Sequence, residues 1–165
     1  MFVLLRHAHA VDRRSWEGPD DGRPLSPQGR GEAMALIGHL AGLPVARLVS
    51  SPLLRCRQTL EPLSSHLGIT IQASDLLVPD AEPPELARFA ADPTNADGIL
   101  CTHGETLDAL LGYWQQSRRI RLPVPPQRVG KRVTEKSGGW MISEAGGSLQ
   151  ARYLPPPAAQ DEWVP

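Results

Sequence analysis

The chain has 165 residues, 41% of them hydrophobic and 21% charged, and its 17 Lys and Arg stand against 18 Asp and Glu for a formal net charge of −1. No apolar stretch approaches the roughly 18 residues of a membrane span, the apolar start is too short for a secretory signal whose removal would also take His7, and Cys56 and Cys101 make no disulfide framework. The expectation is a cytoplasmic protein with one domain over residues 1–157 and a short tail at 158–165, and with neither a membrane nor a nucleic-acid polymer as partner.

Phe2-Val3-Leu4-Leu5 is an apolar run of the length expected for a strand buried on both faces. An irregular stretch from Val11 to Leu25, rich in Asp, Gly, Pro and Arg, reads as a long surface loop. Ser26-Pro27 offers an N-cap and a first-turn proline, and Ala33, Met34, Leu36, Ile37 and Leu40 recur at helical spacing until Gly42 and Pro44. Val45 to Val49 is a second strand, and Ser51-Pro52 repeats the capping pattern before a helix through Leu53, Leu60, Leu63 and Leu67 that ends at Gly68. Ile69-Thr70-Ile71 is a third short strand, Pro83 or Pro84 opens a helix through Leu86 and Phe89, and Gly98 to Cys101 is a buried strand followed by a helix from Glu105 to about Gln116.

The stretch from 113 to 136 is basic, with Arg118, Arg119, Arg121, Arg128, Lys131, Arg132 and Lys136 against the single acid Glu135. It is a solvated loop or a surface that meets an anion. Trp140 to Ile142 and Leu149 to Leu154 flank a Gly-rich turn and read as a hairpin, and Pro155-Pro156-Pro157 ends regular structure. Alternating strands and helices imply a three-layer α/β/α sandwich, with a mostly parallel central sheet and the C-terminal hairpin at its edge.

Three segments set cationic or nucleophilic side chains just after three separate strands. They are Arg6-His7, Arg55 early in the second helix, and His103 after the strand ending at Cys101. Ligands of such sheets bind beyond the carboxyl ends of the strands, so these residues should converge on one cleft. Arg55 in a first helical turn favours an anion and its planar guanidinium binds two phosphate oxygens at once. One histidine can attack phosphorus while the other stabilises the developing charge, and the scheme needs no metal or cofactor. Neither cysteine has an arginine six positions on, which argues against a cysteine-dependent phosphatase loop, and both are expected to be packing residues.

In these residues the chain resembles the histidine phosphatase superfamily, which also contains the cofactor-dependent phosphoglycerate mutases. Leu4-Leu5-Arg6-His7-Ala8 is similar to the family's strand plus Arg-His-Gly signature, Ser50 to Thr59 to its second-arginine segment, and Thr102-His103-Gly104-Glu105-Thr106 to its second-histidine segment. Leu25-Ser26-Pro27-Gln28-Gly29 is similar to its helix-opening element. The resemblance implies that His7 becomes phosphorylated, that Arg6, Arg55 and His103 hold the phosphoryl group, and that hydrolysis is a two-step, ping-pong reaction. Ala8 stands where the family usually has glycine, and a backbone angle that needs glycine would be strained there.

Many members use an acid between the second and third segments to protonate the leaving group. Asp80, Glu82 and Glu85 are candidates, and Glu82 is chosen because it precedes the proline-started helix on the loop expected to face the cleft. Asp80 reads otherwise as a turn residue and Glu85 as a first-turn residue that favours the helix dipole. The chain lacks the length for the mutases' insertions. It is most similar to short phosphohistidine phosphatases and to phosphatase modules attached to Nudix hydrolases, with Arg23-Pro24-Leu25 and Cys56 to Leu63 as matching pieces. This implies a phosphorylated small molecule such as a nucleotide, or a phosphoprotein, as substrate, and a possible functional link to a Nudix hydrolase. Lys131 and Lys136 are possible contacts to a second phosphate or a phosphoprotein surface, and His9 a possible cleft-lining residue.

Three other readings compete. A phosphoglycerate mutase-type phosphotransferase is one. A non-catalytic phospho-ligand-binding module is another, although binding alone would not require His7. His7-Ala8-His9 also matches a zinc-binding pair that opens amidohydrolase barrels, but such a barrel needs about 200 residues or more. His39 and His66 read as surface or core residues.

Overall fold

The chain was analysed as a computed structural model that describes residues 1–121 and 132–157. Phe2–Arg6 forms β1, and its side chains alternate between two apolar layers. Phe2 and Leu4 pack with Leu86, Ala87, Leu107, Leu110 and Trp114 on one face, while Val3 and Leu5 pack with Leu36, Leu40, Leu60 and Leu63 on the other. The helices that supply these layers are α3 (Pro83–Ala90) and α4 (Gly104–Gln116) on the first face, and α1 (Pro27–Leu40) and α2 (Leu54–Leu67) on the second. The remaining strands are β2 (Arg47–Ser50), β3 (Ile71–Ala73), β4 (Gly98–Thr102), β5 (Ile120–Arg121), β6 (Gly139–Ala145) and β7 (Ser148–Leu154).

The sheet runs β3-β2-β4-β1-β6-β7-β5. β3, β2, β4 and β1 are parallel neighbours, β6 is antiparallel to both β1 and β7, and β5 is parallel to β7. This is the expected three-layer α/β/α sandwich around a mostly parallel sheet. The hairpin turns at Gly146 and Gly147, both with positive φ (60° and 75°) as a tight two-residue turn requires. It forms one side of the sheet, and only the two-residue β5 lies outside it. Two residues of polar-flanked chain carry no readable strand signal, which is why β5 escapes the sequence.

Several boundaries move, the second strand running Arg47–Ser50 rather than Val45 to Val49. The third strand begins at Ile71 rather than Ile69, because Gly68 adopts a left-handed cap (φ 69°) and the Ser64 carbonyl accepts from the amides of both Gly68 and Ile69. The Ser64 hydroxyl also donates to the Ile69 carbonyl at 2.6 Å, so Ile69 has no backbone groups left for the sheet. The N-cap of α2 is Leu53 rather than Ser51, whose hydroxyl meets His103 instead. At α1 the expected cap holds: the Ser26 hydroxyl accepts from the Gly29 amide, with Pro27 at the first helical position. Among the described residues no helix is long and apolar enough to cross a membrane. The expected tail at 158–165, with Arg128 and Lys131, lies outside the described residues.

Candidate active site

Parallel register brings three segments to one end of the sheet. Arg6 of β1 is level with Thr102 of β4, and Ser50 of β2 is level with Cys101. The residues just beyond these strand ends, His7, Ser51 to Arg55, and His103, therefore meet at one place. The Val11–Leu25 loop closes over them, held at its base by the Ala10–Leu25 bridge. Between loop and sheet lies a cavity of about 780 Å³ whose floor carries Arg6, His7 and Arg55 and whose rim carries His9, Arg23 and Lys136.

His7 is 8% exposed. Its backbone is pinned on both sides, the amide donating to the Thr102 carbonyl and the carbonyl accepting from Ser137. Nδ1 lies 2.7 Å from the Ala8 carbonyl oxygen, which can only accept, so Nδ1 carries the proton and Nε2 holds the free lone pair of the neutral ring. Burial, then the charge of His103, and after them the charges of Arg55 and Arg6, press the His7 pKa well below its ordinary value, while the bond to Ala8 works the other way. The ring is neutral at physiological pH, the form in which an imidazole nitrogen has a free lone pair. The Ala8 amide donates to Thr59 Oγ1 at 3.0 Å, and that hydroxyl donates to the Arg55 carbonyl at 2.7 Å, joining the loop after β1 to α2. The non-glycine residues with positive φ among the described residues are Asp97, Arg118 and Ser137, so alanine at position 8 carries no backbone strain.

Arg55 is buried and Arg6 half-buried, and each keeps an unspent donor. Arg6 donates from Nη1 to the Thr134 carbonyl at 2.6 Å, and Arg55 from Nη1 to the Asp20 carbonyl at 2.8 Å and from Nη2 to Asp20 Oδ2 at 3.1 Å. The Nε of each is buried without a partner. An anion at the His7 ring answers both. Asp20 also accepts from Arg23 Nε at 2.8 Å. Burial would raise the Asp20 pKa, but that hydrogen bond and the charges of Arg55, Arg23 and Arg13 outweigh it and hold the carboxyl below its usual range.

His103 sits beneath His7 rather than on the cavity wall. It is fully buried, its ring edge-on to His7 with centroids 5.3 Å apart. Ser51 Oγ lies 2.9 Å from His103 Nε2 and also accepts from the Leu53 amide at 3.4 Å. Cys56 Sγ lies 3.5 Å from the same nitrogen, and bonds from Cys101 and His103 lower the Cys56 pKa against the effect of burial. Cys56 was expected to be a packing residue and is also a floor for the second histidine. His39 and His66 are exposed, as one of their two readings had it.

Glu82 is not brought to the cavity. It is exposed and caps α3, its carbonyl accepting from the amides of Glu85 and Leu86. Two residues after a turn and one before Pro83, its backbone is committed to starting the helix. Glu85 is the first-turn acid expected of it. The acids on the cavity wall are instead Asp80 and Glu105, with Asp12 and Asp20 from the loop. Glu105 stands 3.7 Å from Arg132, which also bonds Asp108, so Arg132 ties the segment before β6 to α4. The basic stretch thus divides: Lys136 lines the cavity, Arg132 is paired, and Arg118 and Arg119 are exposed beyond α4. Sequence reasoning passed over Asp20, Arg23 and Glu105 as site residues. Arg23 had a signal, its place in Arg23-Pro24-Leu25 just before the helix opening, whereas nothing local marks Asp20 among the loop's other acids.

Two glycines set the site's geometry. A Cβ on Gly29 would collide with the His9 carbonyl oxygen, so glycine lets α1 approach the loop after β1. A Cβ on Gly104 would lie 2.8 Å from Cζ and Nε of Arg6, so glycine lets the guanidinium lie flat against the start of α4.

Residues 2–78 match the sequence profile of the histidine phosphatase superfamily (branch 1). An 8-oxo-(d)GTP phosphatase of Mycolicibacterium smegmatis is 31% identical over an alignment of 163 positions that covers 94% of this chain and 48% of that protein. The chain therefore spans about half the length of this curated relative. Among solved structures, the protein histidine phosphatase SixA complexed with tungstate superposes with a TM-score of 0.69 at 18% identity, covering 94% of this chain and 96% of that one. A putative phosphohistidine phosphatase SixA from Agrobacterium tumefaciens gives 0.69 at 22% identity, covering 94% and 97%. A mycobacterial glucosyl-3-phosphoglycerate phosphatase gives 0.64 at 17%, covering 95% and 98%. Those likenesses establish a shared fold, an open sheet rather than an amidohydrolase barrel. The stretch that carries Arg6, His7 and Arg55 thus matches the histidine phosphatase superfamily (branch 1), and the fold brings His103 beneath it.

Proposed function

We propose that the protein is a metal-independent phosphatase that works through a phosphohistidine at His7. The observation that supports it most is the neutral His7 ring with Nε2 free, near two guanidiniums that each keep a buried, unspent Nε. In the first step Nε2 attacks phosphorus, the bond from phosphorus to the leaving atom breaks, and that atom departs with the electron pair. In the second, water attacks phosphorus, the P–N bond breaks, the pair returns to Nε2, and inorganic phosphate is released. Arg6 and Arg55 hold the equatorial oxygens and stabilise the charge that develops on them. His103, buried behind His7, acts through the nucleophile's ring and its field.

Asp80 takes the acid role expected for Glu82, since it lines the cavity and has no ion pair among the described residues. It is exposed and belongs to the rim, so protonation of the leaving group is assisted only modestly. That suits leaving groups that need little protonation, a phosphate or an imidazole, more than an alkoxide. The substrate on this reading is a phosphorylated small molecule such as a nucleotide, or a phosphohistidine on a protein. The functional link to a Nudix hydrolase belongs to the same reading and is supported by the resemblance alone.

The test is turnover of an aryl phosphate in EDTA, with trapping of an acid-labile, base-stable phosphoenzyme. His7→Ala abolishes both. Turnover that survives in His7→Ala, or that EDTA removes, refutes the proposal.

A further inference from the structure

The cavity, at about 780 Å³, is far larger than one phosphoryl group, and its outer wall beside His7 is built by two segments, His9 after β1 and Lys136 before β6. One carboxylate joins them. Glu32 Oε2 accepts from the His9 amide at 2.9 Å and from the Ser137 hydroxyl at 2.6 Å, and Oε1 accepts from Gln28 Nε2 at 2.8 Å. Glu32 is thus occupied by neutral donors and places the two segments side by side. The Lys136 ammonium makes no hydrogen bond or ion pair among the described residues, although it is half-buried. Burial first, then the neighbouring charges of Arg6 and Arg23, press its pKa down, against the opposing charges of Glu32 and Asp12. Arg23 spends Nε on Asp20 and Nη1 on the Val11 carbonyl and keeps Nη2. His9 Nδ1 lies 2.7 Å from Ser26 Oγ, a contact that fixes the ring and leaves Nε2 uncommitted. Adjacent cations with unspent donors repel one another and are stabilised by an anion among them.

We propose that Lys136, Arg23 and His9 form a second anion subsite beside the phosphate pocket, and that the substrate is a nucleoside di- or triphosphate whose terminal phosphoryl group meets His7 while the next phosphate lies against Lys136. This rests on the phosphatase reading above and names its substrate class. His7 Nε2 attacks the terminal phosphorus, the bond to the bridging oxygen breaks, and the electron pair stays on that oxygen, which leaves as part of the shortened nucleotide. Water then releases inorganic phosphate from His7. The departing phosphate is a stable anion that Lys136 partly neutralises, so no strong acid is needed at the rim. A phosphohistidine side chain carries one phosphate and leaves Lys136 unused.

The experiment has a binding arm and a kinetic arm on the full chain. Calorimetric titration with methylenediphosphonate and with orthophosphate should show the diphosphonate binding at least tenfold more tightly. Lys136→Gln should remove that advantage, Lys136→Arg should restore it, and Arg119→Gln, exposed and off the cavity, should not alter it. In turnover, Lys136→Gln should lower kcat/KM for ADP at least tenfold relative to kcat/KM for p-nitrophenyl phosphate. Equal affinity for the two ions, an equal loss for both in Lys136→Gln, or a wild-type preference for a phosphohistidine peptide over ADP overturns the subsite. Failure of orthophosphate to bind at all overturns the phosphatase reading with it, so the two failures are distinct.

Discussion

Gly104→Ala is expected to separate catalysis from folding. The new Cβ would stand 2.8 Å from Cζ and Nε of Arg6, whereas carbon atoms in contact settle at about 3.5–4.0 Å, so the guanidinium must retreat by about 0.7–1.2 Å. The atoms that yield are the end of a long side chain, not backbone, and Gly104 is a helical residue at the start of α4 without positive φ, so alanine costs the fold little. A misplacement of about 1 Å in a group that binds the transition state costs on the order of 100-fold in rate, near 2.7 kcal/mol. We therefore expect kcat/KM for p-nitrophenyl phosphate to fall about 100-fold while Tm changes by no more than about 3 °C, the equivalent of roughly 1 kcal/mol in a domain of this size. The assay is steady-state kinetics beside differential scanning fluorimetry on the same preparation. A rate within threefold of wild type would refute the idea that the placement of Arg6 against Gly104 matters, and a collapse of Tm would move the effect from the site to the fold.

Asp20→Asn removes the carboxylate that competes with substrate for Arg55 and should tighten competitive inhibition by orthophosphate about fivefold, near 1 kcal/mol; weaker inhibition would mean that Asp20 holds Arg55 in place instead. Asp80→Asn should slow an alkyl phosphate at least tenfold more than an aryl phosphate, and Glu82→Gln should change neither by more than twofold. A selective loss on alkyl substrates in Glu82→Gln would return the acid role to that residue. Because the His7 pKa is depressed in the folded chain, above its ordinary value of 6.5 both states are neutral and stability is complete. As pH falls below 6.5 the unfolded chain takes up a proton that the folded one does not, and stability is lost. The fall in Tm between pH 7.5 and pH 5 should accordingly be smaller in His7→Ala than in wild type, and an equal fall would contradict a neutral, buried His7.

Residues whose neighbours in sequence explain them were legible from the start. β1 was readable because burial on both faces leaves four apolar residues in a row, and α1 because Ser26, Pro27 and the apolar spacing agree. Arg6, His7, Arg55 and His103 could be gathered because each lies at or just beyond a strand's carboxyl end, and parallel strands present those ends on the same side of the sheet. Glu82 was misplaced by the same local logic: proximity to a helix start says that a residue is on a loop, not which way the loop faces.

By itself the sequence determined the layer architecture, the strand ends that bear the cations, and the histidine proposed as nucleophile, since these come from periodicity and from residue types at fixed offsets. Only the tertiary structure decided the rest. It buried His103 edge-on against His7, put Asp20 on Arg55, left Lys136 without a partner among the described residues, and set Asp80 and Glu105 rather than Glu82 on the wall. Each of those outcomes depends on the distance between segments remote in the chain, as with Glu32 joining His9 to Ser137, and such distances are set by how helices and loops pack against the finished sheet.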